Sequence, residues 1–241
     1  MKNMPAEIKV TKKLKNPTVI IGFPGFGLVG TITTEFLIDH LRTEEIGNLW
    51  FEEIPAIAAV HDSKLIHPIS IHYNKEYNIV VVHGVTPTVG MEWKIVSVVL
   101  NFLESVDAKE IISIEGIGSL EQNERPKIFF FTSDKKVTER LRVAGLEALK
   151  EGIIVGITGA LLLKAKKQNL TCIFAESHSN LPDSGAASHV IIALDKYLGL
   201  NVDPKPLVEQ AERFEGKLKK LLESGQQLSQ EQKKKELSYM G

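Results

Sequence analysis

The sequence feature that most constrains the fold is the stretch 19–30, which reads V-I-I-G-F-P-G-F-G-L-V-G. It begins with Val19, Ile20 and Ile21, a continuous β-branched run typical of a parallel strand buried on both faces. Four glycines follow, and apolar side chains then recur at helical spacing, at Leu28, Ile32, Phe36 and Leu37. This order predicts a strand, a tight loop and a helix, which together open a β-α-β unit.

Two explanations account for the glycines of this loop, and the sequence leaves both open. Gly25, Gly27 and Gly30 spell G-x-G-x-x-G between a strand and a helix, as in a dinucleotide-binding loop. The acidic pair at 52–53 lies roughly where the ribose-binding acid of such a site is expected, ~20 residues further on. Alternatively, the glycines only bring the helix close to the strand end, because glycine has no Cβ and tolerates positive φ. Pro24 stiffens the loop and favours this packing explanation.

Composition and charge exclude several classes of protein. The chain has 241 residues, of which 43% are hydrophobic and 24% charged, so it is long enough and apolar enough to bury a full core. A formal net charge of -1 gives no global field that would attract nucleic acid or a membrane surface. The longest apolar stretch, 152–163, is too short to span a bilayer, and residues 1–15 lack the apolar core of a signal peptide. We therefore expect a cytoplasmic protein with neither nucleic acid nor membrane as a partner.

The usual catalytic and metal-binding motifs do not occur in the sequence. It contains no G-x-S-x-G, no phosphate-binding G-x-x-x-x-G-K-[ST], and no paired CxxC or HExxH spacing, so we expect no metal and no cofactor. Four histidines lie between positions 61 and 83, at a spacing that suits solvated strand edges better than a metal site. The single cysteine, Cys172, lies in an apolar run with no adjoining cation, which predicts a buried structural thiol.

Strand and helix patterns alternate along the rest of the chain. Strands are expected at 54–60, 64–73, 78–83, 110–115, 127–132 and 170–176, the first two as a hairpin. Helices are expected at 88–103, 134–150 and 184–198, the last capped by Asp183 or Ser184. The segment 152–167 is ambiguous and suits a short strand at 153–155 followed by a helix at 158–166. The alternation predicts an α/β fold, a mostly parallel sheet with helices on both faces.

The composition divides the chain into a core and terminal segments. Residues 1–16 are expected to be a flexible arm, either frayed or an edge strand, and residues 17–200 the α/β core. Residues 204–223 predict an amphipathic helix, and residues 224–241 a mobile polar tail. The apolar stripe of the helix includes Leu207, Ala211, Phe214, Leu218 and Leu221. A stripe of this size is expected to form an oligomer interface, the alternative being that it packs back on its own core.

The carboxyl ends of the predicted strands are where a ligand crevice is expected. The candidate residues there are Gly25, Gly27, Gly30, Glu115, Glu176 and His178. Two carboxylates and a histidine in one crevice are able to perform acid–base chemistry or hold a metal. Acids at strand ends also accept hydrogen bonds from loop N–H groups or cap the next helix, and the sequence leaves both roles open.

Three separated motifs carry a resemblance to a known family. They are G-F-P-G-F-G-L-V-G at 22–30, I-S-I-E-G-I-G at 112–118 and A-E-S-H-S-N-L-P-D-S-G-A-A at 175–187. From about residue 17 to residue 200 the chain resembles the proteasome assembly chaperone family, in particular its archaeal homologues. The resemblance implies a core similar to nucleoside phosphorylases, no established catalytic set, homo-oligomers, and a role in assembling proteasome subunits or other complexes.

Some members of that family dock on the proteasome α-ring through a C-terminal hydrophobic residue, a tyrosine and any last residue. This chain ends L-S-Y-M-G, so Tyr239 is third from the end and Ser238 precedes it. The partner-binding residues expected in the tail are Leu237, Tyr239, Met240 and Gly241. The leading hypothesis is a non-enzymatic, homo-oligomeric assembly chaperone. The alternative is a small-molecule enzyme or nucleotide-binding protein with a phosphorylase-like crevice, which in a chaperone would be filled by Phe23 and Phe26.

Overall fold

The computed structural model describes residues 8–49, 59–61, 63–118, 126–165, 168–177, 181–206 and 209. In these ranges the elements follow one another as β1 (Lys9–Val10), β2 (Thr18–Gly22), α1 (Val29–His40), β3 (Glu44–Asn48), β4 (Ala59–His61), β5 (Lys64–Ile66), β6 (Ile69–Asn74), β7 (Ile79–Gly84), α2 (Glu92–Ser105), β8 (Glu110–Gly118), β9 (Ile128–Thr132), α3 (Lys135–Val143), β10 (Glu147–Ala148), α4 (Gly156–Lys164), β11 (Leu170–Ser177) and α5 (Ser184–Leu198).

The strands form one large sheet with a parallel centre. Its order is β1-β3-β6-β7-β2-β8-β11-β9-β10, and β4 pairs with β5 in a separate hairpin. Strands β7, β2, β8 and β11 are parallel, and Ile20 of β2 lies opposite Val81 and Ile112 of its two neighbours. Strands β6, β3 and β1 continue the sheet antiparallel on one side, and β9 does so on the other. The α/β class with a mostly parallel sheet is confirmed.

Helices cover both faces of the sheet, which explains why its central strands are mostly apolar on both faces. Ile20 and Ile112 pack with α1 and α5 on one face. Val19, Ile21 and Ile111 pack with α2 and α4 on the other. All five side chains are at most 1% exposed. Each burial contributes about 1.5–3 kcal/mol to folding, so these runs supply much of the driving force for the fold.

Several elements differ from those predicted, and local backbone geometry explains two of the differences. The helix expected at 134–150 ends at Val143, because Gly145 takes φ +95° and β10 follows. The helix expected at 88–103 begins only at Glu92, after a turn in which Met91 N–H donates to Thr88 O at 2.9 Å.

Three further segments correct the predictions. The stretch 64–73 is two strands, β5 and β6. Residues 153–155 form no strand and instead lead directly into α4. Strand β3 was not predicted, because its sequence E-E-I-G-N carries one buried apolar side chain, Ile46, and therefore no alternating pattern.

The terminal segments are described only in part. Strand β1 pairs with β3, and Thr11 N–H donates to Ile46 O at 2.8 Å, so the described part of the N-terminal arm is an edge strand. The expected amphipathic helix lies outside the described residues apart from 204–206 and 209, and the tail 224–241 lies outside them entirely. In the described part of the chain, no helix has the length and apolarity needed to cross a membrane.

Candidate functional site

The glycine loop joins β2 to α1 through a short 3-10 turn, Phe26–Leu28. Gly27 takes φ +63° there and Leu28 φ +50°, so the backbone turns sharply before the helix begins. Leu28 N–H donates to Gly25 O at 3.0 Å and closes the turn. Gly27 O accepts from Asp183 N–H at 2.9 Å, which ties the loop to the start of α5.

The glycines of the loop are packed against protein atoms. A Cβ added at Gly22 would lie 2.2 Å from Gly30 O, and one at Gly30 would lie 2.6 Å from Ile114 O. A Cβ at Gly27 would lie 2.4 Å from Ser177 Oγ. Such distances are impossible without movement of the backbone or of a buried side chain. These contacts favour the packing explanation for the glycines over a phosphate-binding loop.

A cavity of about 670 Å³ lies beyond the carboxyl end of β8. Its walls come from the segments 24–28, 87–92, 115–118 and 149–156. The lining is mainly apolar and includes three acidic side chains, Glu92, Glu115 and Glu151; none of the lining residues in the described part of the chain is a lysine, arginine or histidine. The volume lies in the range of ligand pockets, about 300–1,000 Å³.

Glu115 is the buried acid of this cavity, with 9% of its surface exposed. Its Oε2 accepts from Thr158 Oγ1 at 3.2 Å, and the backbone N–H groups of Phe26 and Gly116 also donate to the carboxyl group. Burial outweighs these three hydrogen bonds and raises the pKa of Glu115 to about 7. The carboxyl group is therefore partly ionised near neutral pH and is able to exchange a proton or bind a cation.

The structure brings only part of the predicted crevice together. Gly25 and Glu115 both line the cavity, whereas Gly27 and Gly30 are buried and do not line it. Glu176 does not line it; its Oε2 accepts from Lys127 N–H at 3.1 Å, at the entry to β9. His178 lies outside the described residues.

The cavity is not filled by the two phenylalanines of the loop, contrary to what was expected of a chaperone. Phe23 is 3% exposed and packs against Gly84, where a Cβ would lie 2.4 Å from its ring. Phe26 lines the cavity wall.

The sequence did not predict that residues 149–156 form a wall of the cavity, because this stretch suited a strand and a helix. Its signal was the apolar run between Gly152 and Gly156, which in the structure is a loop with Ile153 and Val155 exposed.

Two other buried titratable groups, His83 and Cys172, are enclosed in the protein and do not line the cavity. His83 is buried, contrary to the prediction of a solvated edge, and its Nδ1 lies 2.8 Å from Thr34 Oγ1. Burial, with a smaller effect of His72, lowers the pKa of His83 to about 4. Cys172 is buried as predicted, and burial, followed by the charge of Glu115, raises the pKa of the thiol to about 12. No cluster of His, Cys, Asp or Glu within the described ranges is suited to hold a metal ion.

The chain is similar to one family model, to curated relatives and to solved structures. The PAC2 family model matches residues 19–222. A Methanocaldococcus jannaschii protein, MJ0106, is 25% identical over 217 residues, 89% of each chain. The crystal structure of Pyrococcus furiosus PbaA, described as an archaeal homolog of proteasome-assembly chaperone, matches with a TM-score of 0.81 and 27% identity, over 96% of this chain and 98% of PbaA. Pyrococcus furiosus PbaB, described as an archaeal proteasome activator, shares the fold with a TM-score of 0.77 and 24% identity, over 90% and 98% of the two chains.

Proposed function

This chain belongs to the PAC2 family, and from that premise we propose that it is a non-enzymatic, homo-oligomeric assembly chaperone that binds proteasome subunits or another protein complex. The observation that carries the proposal is the likeness to PbaA, which extends over nearly the whole of both chains at 27% identity. The match to the family, over residues 19–222, spans the glycine loop and the β8 motif, which pack on each other through Phe26 and Gly116 in this structure.

The surroundings of the predicted crevice support a non-enzymatic role. Glu115 has a pKa suited to acid–base chemistry, but the second predicted acid, Glu176, is held by a backbone N–H of the β9 segment instead of facing the cavity. General acid–base catalysis needs its groups within hydrogen-bond reach of one substrate. Glu115 is the one buried carboxyl group of a mainly apolar cavity, and Glu92 and Glu151 lie nearer the surface, an arrangement that suits binding better than turnover.

The partner and oligomer contacts are proposed from the sequence. The stripe Leu207 to Leu221 is the proposed oligomer interface, and the tail residues Tyr239 and Met240 are the proposed anchors on a partner. A ring and a flexible thioether in a polar tail suit docking into a preformed groove. We propose a cytoplasmic location for the protein.

Affinity capture from a lysate of the source organism, followed by mass spectrometry, tests this proposal. The expected result is co-purification of the subunits of one complex, proteasome subunits first among them, in amounts comparable to the chain itself. A matched control is the chain without residues 237–241. Recovery of no protein above the level of a tag-only capture would contradict the proposal.

A further inference from the structure

The cavity beside Glu115 has a charge that its own lining does not balance. Glu115 lies at its inner wall and Glu92 and Glu151 lie nearer the surface, with no basic side chain among the described lining residues. The part of the chain that the structure describes also gives Glu92 and Glu151 no ion-pair partner. The cavity therefore carries a negative potential and is complementary to a cation.

Gly25 makes room for one oxygen of the buried carboxyl group. The backbone at Gly25 is extended, with φ −149°, so no dihedral angle requires glycine there. A Cβ at this position would lie 1.7 Å from Glu115 Oε1. Glycine at position 25 thus leaves the space that Oε1 occupies, and Thr158 and the backbone hold the carboxyl group in one orientation at the cavity wall.

The rim of the cavity is apolar and unusually exposed. Val89 is 88% exposed, Ile153 92% and Val155 73%, and all three line the cavity. Apolar side chains grouped at the mouth of a cavity are typical of a surface that a protein partner covers. A small metabolite enclosed in the cavity would leave these three side chains in water.

We propose that this cavity is a docking pocket for a lysine or arginine side chain of a partner protein. The carbon stem of that side chain packs against Phe26 and Ile117, and its charged end reaches Glu115. Apolar residues beside it in the partner cover Val89 and Ile153. Long basic side chains suit such a site, because they bury an aliphatic stem while the charged end makes a charge-assisted hydrogen bond. The inference rests on the proposed function, since it names the surface by which the chaperone holds its partner.

The chemistry of the pocket is tested with n-hexylammonium as the probe and n-hexanol as its uncharged match. Calorimetric titration is expected to give binding of n-hexylammonium at least about ten-fold tighter than of n-hexanol, the usual effect of one hydrogen bond to a charged group. Glu115→Gln should remove this preference, and Glu76→Gln, on an exposed turn at the opposite edge of the sheet, should keep it. The double variant Glu92→Gln/Glu151→Gln changes only the outer wall and should weaken the preference for n-hexylammonium. It provides the test if Glu115→Gln folds poorly. Equal affinity for the two probes in the parent chain would overturn the proposal.

The partner is tested with the protein complex that the parent chain captures. Val89→Ser should lower its affinity several-fold, whereas Val143→Ser, an equally exposed valine on α3 at 89%, should not. If Glu115→Gln and Val89→Ser both retain full affinity, the chaperone function stands and the docking pocket is wrong. If no variant and no parent chain captures a protein, the proposed function itself fails. Binding of n-hexylammonium would then identify a small-amine site and overturn the docking proposal.

Discussion

Gly25 and Glu115 are in such close contact that a Cβ at position 25 would lie 1.7 Å from Glu115 Oε1. The two residues come from the first loop and the central strand β8, ninety positions apart in the sequence. Their contact joins the glycine loop, the buried carboxyl group and the cavity into one unit. The loop therefore forms part of the cavity wall, and its lack of a side chain at position 25 makes room for the carboxyl group.

Replacing Gly25 by alanine should destabilise the fold. The new methyl group must displace the carboxyl group from its three hydrogen-bond donors, and overpacking of this kind costs about 1–3 kcal/mol. Chemical denaturation measures the change. Gly152→Ala is the matched control, because a Cβ there would meet Leu149 at an ordinary 3.4 Å. Equal stability of the two variants would show that the contact with Glu115 is not tight.

Alanine variants of Gly27 and Gly90 distinguish the loss of folding stability caused by backbone strain from the loss caused by a steric clash. Both take positive φ, +63° and +82°, but a Cβ at Gly27 would lie 2.4 Å from Ser177 Oγ, whereas one at Gly90 would meet nothing within 4 Å. Gly90→Ala should cost about 1 kcal/mol of folding stability from strain alone, and Gly27→Ala about 1–3 kcal/mol more. The packing explanation of the loop fails if Gly27→Ala costs no more than Gly90→Ala. Loss of binding to a nucleotide at unchanged stability would instead identify a ligand loop.

The buried carboxyl group of Glu115 should make folding stability depend on pH. Its pKa rises from 4.5 to about 7 on folding, so the folded state binds the proton more tightly. Its contribution to stability therefore falls as the pH rises from about 4.5 to about 7, by about 3 kcal/mol in total. Glu115→Gln should remove this loss and be more stable than the parent above pH 7. Urea unfolding across this pH range measures both effects.

His83 provides the control for that experiment, because its contribution has the opposite sign. Its pKa falls from 6.5 to about 4 on folding, so stability is lost as the pH falls through this range. In the parent chain the two slopes oppose each other between about pH 4.5 and 6.5. In Glu115→Gln the slope from Glu115 is absent, so the slope from His83 is no longer opposed by it. An NMR titration in which His83 protonates near pH 6.5 would contradict this account.

The predicted oligomer interface has a direct test in the mass of the particle. Phe214→Asp places an unpaired charge in the apolar stripe and should lower the assembly order, because burying that charge is costly. Light scattering measures the mass of the parent and the variant. Glu209→Asp, a conservative change on the polar face, serves as the control. A monomeric parent chain would contradict the homo-oligomer, and an unchanged mass in Phe214→Asp would move the interface to the core.

The central strands and the capping of α5 were predictable because their causes are local. A β-branched run such as 79–82 buries both faces of a strand, and Asp183 accepts from Ala186 N–H at 2.8 Å as an N-cap. Strand β3 was not predictable, because its pairing with β6 supplies the stability that its own sequence lacks. Helix ends were misplaced where a turn at Gly90 or Gly145 interrupts a helical pattern.

The place of Glu115 in the candidate site followed from topology, whereas the positions of Glu176 and of the wall at 153–155 required the structure. Glu115 was expected at a strand end, because parallel strands present their carboxyl ends at one edge of the sheet. Alternation along the strands does not reveal that Glu176 accepts from the Lys127 N–H instead of facing the cavity. The apolar wall at 153–155 reaches the cavity through packing between distant segments, and no local pattern predicts such a contact.

The most direct test of the chaperone function is the rate at which the captured complex assembles. Its subunits are purified separately and mixed with and without the chain, and native mass spectrometry follows the assembled species over time. The account predicts faster assembly at substoichiometric amounts of the chain, and weaker acceleration by the chain that lacks residues 237–241. An assembly rate that is the same with and without the chain would contradict it.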